Sequence, residues 1–430
     1  MTALEGPRLR TLSNGVRVIV DPMPGLQTIA CGVWVNAGAR DERPDERGAA
    51  HLIEHMAFKG AGDRSAKEIV EAIEGVGGWI NAETTHERTA FFVRCLKDDM
   101  ALGLDVLSDI ALAPRFDPDD LAIERGVVVQ EIGEAADNPE DCAYEGLQEV
   151  AFAGSTLGCS ILGEADAVRA RTVDDLRRFF REAYRPEGMI VAIAGGIDVE
   201  AAFDAAERRF GVADRGEGAR RARPAAAFHG GLKFIDAPSE QAHVAMAFRG
   251  AAAGASEEIA ARLFAEALGG GMASRLFQEL RERRGLAYTI DAAPECYSDV
   301  GAVVVYAGVD HDRAAELVQE VRRQASLLGD EIGQIELDRA KAVLRAGAMM
   351  ALEQPMGRIE AAVGATLSRG RPLAPAELTA LINSVGVDDV RAAARVVAEG
   401  PVAACVVGGN GHQLAVSAVE AAMEIGGGRQ

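Results

Sequence analysis

Two histidines and a glutamate crowd into one short stretch, His51-Leu52-Ile53-Glu54-His55, of a chain that holds only 7 His in 430 residues. Residues three and four apart share one face of a helix, so on a helix the two imidazoles converge on a single point with Glu54 beside them. The flanking residues Ala49, Ala50, Met56, Ala57 and Phe58, with Leu52 and Ile53 between, are small or apolar and would bury such a helix. Two buried imidazoles and a carboxyl are costly without a partner. A divalent cation is such a partner, and imidazole plus carboxylate around one open, water-filled position is the donor set of catalytic zinc. The chemistry expected is hydrolysis. A bound metal lowers the pKa of its water toward about 7, and a neighbouring carboxylate, here Glu54, takes the proton.

Such a site needs a third protein ligand and a scaffold to carry it. Val16 to Val20 and Ile29 to Val35 are β-branched runs bounded by the turn signals Asn14-Gly15 and Pro24-Gly25, which predicts strands. Ser65-Ala-Lys-Glu68 is a capping box, followed by Ile69, Val70, Ile73 and Val76 at helical spacing and stopped by Gly77-Gly78. Trp79 to Ala82, Thr89 to Cys95 and Met189 to Ala194 read as further strands, and Val173 to Tyr184 as a helix. Strands grouped with long helices predict an α+β fold.

The chain also repeats itself. Ala49 to Met56 aligns with Ala260 to Ala267, Asp120 to Arg125 with Glu336 to Lys341, and Ile193 to Gly196 with Val406 to Gly409, at offsets of 211, 216 and 213. Three near-constant offsets in one order predict two homologous domains of about 200 residues. The Arg-, Gly- and Pro-rich segment 215–231 reads as the linker between residues 1–214 and 232–430. The second half lacks the His-Glu-His cluster.

The order His-x-x-Glu-His inverts the commoner zinc-protease motif and resembles the inverzincins, the superfamily of pitrilysin, insulin-degrading enzyme and mitochondrial processing peptidase. The resemblance spans the chain, which is similar to a short subunit of the processing-peptidase beta type. It implies that Glu131, 76 residues after His55, completes the metal site within Glu124-Arg-Gly-Val-Val-Val-Gln-Glu131. It also implies that Glu124, two helical turns earlier, orients a histidine. Asn81-Ala82, followed by His86-Glu87-Arg88-Thr89, resembles the family's substrate strand, whose edge pairs with an extended peptide. Arg275 to Tyr288 is similar to the second-domain motif, in which Arg281 and Tyr288 reach the substrate. The function implied is a metalloendopeptidase with one Zn²⁺ per chain, cleaving unfolded peptides in a chamber closed by two domains facing each other as a clamshell. A chain of this length is expected to act as a homodimer. The competing reading is a structural or regulatory subunit, or half of a heterodimer; loss of metal ligands marks such subunits, and here the ligands stand.

Composition narrows the partners. The formal charge of −21 and the absence of a basic block exclude duplex nucleic acid and permit basic peptides. No apolar run approaches the roughly 20 residues that span a bilayer, and MTALEGPRLR lacks a secretory apolar core, which places the protein in the cytoplasm. The six cysteines are scattered without a CxxC, as reduced thiols in apolar niches are. Gly269-Gly270-Gly271 lacks the lysine of a phosphate loop and reads as a helix stop.

Overall fold

A computed structural model describes residues 6–214, 221–409 and 416–424. Thirteen strands are present among them. The first sheet takes β1 (Arg8–Thr11), β2 (Arg17–Pro22), β3 (Thr28–Val35), β6 (Trp79–Thr84), β7 (Thr89–Leu96) and β8 (Met189–Gly195) in the order β1-β2-β8-β3-β7-β6. β4 (Gly60–Ala61) and β5 (Arg64–Ser65) form a separate small hairpin. β2 and β8 run parallel and every other pair in the sheet is antiparallel.

The central strands β3 and β8 are apolar almost without a break because both faces of the sheet are covered there. Val18, Val20, Ile29, Cys31 and Val33 face a core shared with Leu52, Ile53 and Met56 of α1 (Ala49–Ala57), Ile69 and Ile73 of α2 (Ala66–Glu74), and Leu104 and Leu107 of α3 (Met100–Leu112). Ile19, Ala30, Trp34, Phe92 and Ile190 face the other way. Their cover comes from far along the chain: Ile359, Ala362 and Val363 of the helix Pro355–Arg369. Arg358 of that helix reaches Asp21 of β2 at 3.1 Å, with both side chains buried. The Ser65 capping box forms as read, Ser65 Oγ accepting from Glu68 N at the start of α2.

The second sheet runs β9 (Gly231–Ile235), β13 (Val402–Val407), β10 (Ala242–Gly250), β12 (Gly301–Val309), β11 (Ala287–Cys296), with β9 and β13 parallel. Strand for strand this repeats β2-β8-β3-β7-β6, including the position of the one parallel pair, so the sequence repeat is a repeat of topology. One face is covered by α5 (Pro139–Ala151), whose Ala143, Leu147 and Ala151 pack with Ala245, Val304 and Cys405.

The chain thus divides into two compact units, each assembled from separated segments. One comprises 1–132, 160–224 and 348–378; the other comprises 133–159, 225–347 and 379–430. Of the segment read as a linker, residues 215–220 lie outside the described residues. Residues 221–230 form neither helix nor strand, but they are fastened. Arg221 binds Glu46 and Glu182, and Arg223 binds Asp41 at 2.8 Å and the Glu87 carbonyl at 2.8 Å. The six cysteines are free. The helix Glu258–Gly269 ends at the glycine run.

Candidate metal centre

α1 begins at Gly48, whose φ of +82° suits a residue without a side chain. No side chain of the Gly48 cap closes its N-terminus. Glu42 does so instead, its two carboxyl oxygens accepting from Gly48 N at 2.9 Å and Ala50 N at 2.7 Å. Burial pushes the Glu42 carboxyl up to about 8, against the pull of those two N–H groups. The helix then buries Ala49, Ala50, Leu52, Ile53, Met56 and Ala57. The remaining face holds His51, Glu54 and His55, all half-buried.

The two rings meet edge to face with centroids 4.6 Å apart. Glu131 of α4 (Pro118–Asp137) comes to them: its Oε2 lies 3.8 Å from His51 Nε2 and 3.6 Å from His55 Nε2. These gaps exceed hydrogen-bonding range. They suit an ion held between the atoms, since tetrahedral ligands about 2.1 Å from zinc stand roughly 3.4 Å from one another. One donor atom of each of the three residues falls within 4.8 Å of the other two. Glu131 Oε2 is buried and has no hydrogen-bond partner among the described residues, the condition of a ligand atom rather than of a salt bridge. Burial, reinforced by His55, lowers the His51 pKa to about 4, so this imidazole is neutral and its lone pair available at neutral pH. The residues therefore fit a metal ion.

Glu124 stands one step outside. Its Oε2 is 3.0 Å from His55 Nδ1 and its Oε1 accepts from Lys59 Nζ at 2.7 Å. A carboxylate only accepts, so this contact keeps the proton on Nδ1 and turns Nε2 toward Glu131. Glu124 is thus aimed at the histidine and not at the ion position. Glu54 accepts from Thr84 Oγ1 at 2.5 Å. Burial raises the Glu54 pKa, opposed by the Thr84 hydroxyl and His55 and aided by the charges of Glu131 and Glu83.

Asn81 and Ala82 lie on β6, which pairs with β7 on one side and ends the sheet on the other. In the second unit Arg281 stacks on Tyr288, with the guanidinium 4.6 Å from the ring centroid and at the same distance from Phe277. Tyr288 is 75% exposed. The structure thus brings His51, His55, Glu131, Glu54 and Glu124 together, sets Asn81 and Ala82 on the edge strand that also carries Thr84, and pairs Arg281 with Tyr288 in the other unit. Glu42, Lys59 and Thr84 were not singled out from the sequence. Lys59 had a signal, standing four residues after His55; Thr84 lies two residues beyond the strand read as Trp79 to Ala82, and Glu42 had none.

Comparison with known proteins places this two-sheet fold in a peptidase family. Residues 17–165 match Insulinase (Peptidase family M16) and residues 171–344 match the Peptidase M16 inactive domain. An uncharacterised zinc protease of Streptomyces coelicolor is 35% identical over 401 residues, covering 90% of this chain and 86% of its own. The uncharacterised zinc protease YmxG of Bacillus subtilis is 31% identical over 387 residues, covering 90% and 94%. The crystal structure of a protease from Helicobacter pylori superposes with a TM-score of 0.88 at 21% identity, over 94% of this chain and all of that one. The chain belongs to peptidase family M16, the insulinase family. Two M16 domains are thereby matched, the first spanning the His-Glu-His motif.

Proposed function

We propose that the protein is a zinc-dependent endopeptidase acting on unfolded peptides. The convergence of His51 Nε2, His55 Nε2 and the unpartnered Glu131 Oε2 beside Glu54 carries this reading. Those three residues would hold the ion, which when bound supplies a Lewis acid and an acidified water. Glu54 accepts the proton of a water in the site and returns it to the departing amine; its raised pKa brings it closer to the pH at which it must do both. Glu124 fixes the His55 ring. The open edge of β6 offers backbone N–H and C=O groups to an extended peptide, giving affinity with weak side-chain selectivity. Arg281 and Tyr288, the homodimer, the closed chamber, the basic peptides and the cytoplasmic setting belong to the same reading and rest on the family likeness and the charge. Among the described residues no helix is long and apolar enough to cross a membrane.

The test is Glu54→Gln. The variant is expected to keep its metal, measured by elemental analysis, and to lose nearly all cleavage of an unstructured peptide that the parent protein cleaves in a chelator-sensitive way. Wild-type turnover by the variant would end the mechanism, and inactivity of the metal-loaded parent would favour a non-catalytic subunit.

A further inference from the structure

Thr84 joins two parts of the site that the proposed function treats separately. It is the last residue of β6, and its hydroxyl donates to Glu54 Oε2 at 2.5 Å. The alternation of β6 turns Ile80, Ala82 and Thr84 to the side of α1, where Ile80 and Ala82 pack on the core, and leaves Trp79, Asn81 and Glu83 exposed. A hydroxyl has one proton to give. Given to Oε2, it fixes one carboxyl oxygen and leaves Oε1 as the oxygen that can face a water.

Thr84 is itself held from behind. The turn 85–88 receives Ala39 N on the Thr85 carbonyl at 3.1 Å and Arg40 N on the His86 carbonyl at 2.7 Å. Glu87 is gripped by the buried Arg40 guanidinium at 2.6 Å, and its carbonyl by Arg223. Gly38 permits the approach: a Cβ there would stand 2.2 Å from the Thr85 carbonyl oxygen. Thr84 therefore stands on a braced hairpin end and not on a free loop. Its β-branched side chain also has few rotamers to choose from.

We propose that Thr84 is a positioning residue for the reaction, setting Glu54 in register with a peptide laid along the β6 edge. The inference rests on the reading of Glu54 as proton acceptor. One strand then carries both the line on which the substrate backbone docks and the hydroxyl that aims the base. Losing the hydroxyl leaves docking and metal ligands in place and misaligns the proton acceptor, a fault that appears in turnover.

The experiment compares Thr84→Val, which keeps the shape and removes the donor, with Thr84→Ser, which keeps the donor. Each is assayed on an unstructured peptide with metal content and thermal midpoint measured alongside. Thr84→Val is expected to retain metal and KM and to lose about ten- to hundred-fold in kcat, while Thr84→Ser recovers most of the loss. Wild-type kcat in Thr84→Val overturns the proposal. So does a Thr84→Ser variant as impaired as Thr84→Val, since packing and not the hydroxyl would then be at work. Should Thr84→Val fail to fold, Thr84→Ala against Thr84→Ser makes the same comparison. Glu54→Gln assayed in parallel separates the failures: an active Glu54→Gln removes the base and this inference together, whereas an inactive Glu54→Gln beside a normal Thr84→Val removes this inference alone.

Discussion

His51 is shielded from water and stands against His55, and both circumstances disfavour its protonation. The consequence for the metal-free protein has a definite sign. The unfolded chain takes up this proton near pH 6.5, whereas the folded chain waits until about pH 4. Stability owed to the neutral imidazole is therefore complete above about 6.5 and drains away as pH falls toward 4. Urea titrations of chelated protein across that window should show the wild type weakening relative to His51→Gln as the pH drops. A constant difference between the two would mean that the ring is not held neutral by the fold. At this scale the His-Glu-His face was legible because one helical turn determines it. Glu42 was not: its role exists only because the chain doubles back to bring its carboxyl to Gly48 N and Ala50 N.

Secondary structure was legible wherever the local pattern and the tertiary environment agreed. β3, Thr28–Val35, begins one residue before its β-branched run Ile29 to Val35, and α2 starts at its capping box. The arginines at 221 and 223 read as linker composition because their acidic partners are 39 to 182 residues away. The helix Pro355–Arg369 shows the same limit: its amphipathic pattern announces a buried face and cannot say which sheet it buries. The Asp21–Arg358 pair settles that for this element. Both side chains are 3–4% exposed, so removing one partner strands a buried charge, at a cost of about 3–5 kcal/mol. Arg358→Ala should lower the denaturation midpoint accordingly, with Asp21→Asn combined with Arg358→Met recovering part of the loss. A midpoint unchanged by Arg358→Ala would show that the ion pair contributes nothing to holding the helix on the first sheet.

The duplication reaches the whole molecule in an unexpected form. α5 and the helix Pro355–Arg369 follow α4 and the helix Gln334–Leu352 at equivalent places in the two halves, and each belongs to the compact unit built on the other half's sheet. The sequence repeat could show that two similar units exist, but it carries no information on such an exchange. A fragment of residues 1–214 contains every group of the candidate metal site yet leaves Ile19, Trp34, Phe92 and Ile190 without a cover. It should be aggregation-prone or loosely packed, binding a dye for exposed apolar surface, and co-expression with residues 348–378 should restore a cooperative thermal transition. A well-folded, monomeric fragment would contradict this.

Asp21 and Arg358 lie 337 positions apart. On the ribosome, where domains generally fold in order of synthesis, the half bearing His51, Glu54 and His55 emerges early and must wait, one side of its sheet bare, until nearly the entire polypeptide has been translated. Nascent chains stalled shortly before codon 355 should therefore remain sensitive to an added protease, and completion of the half that carries the His-Glu-His face is timed by the far end of the message.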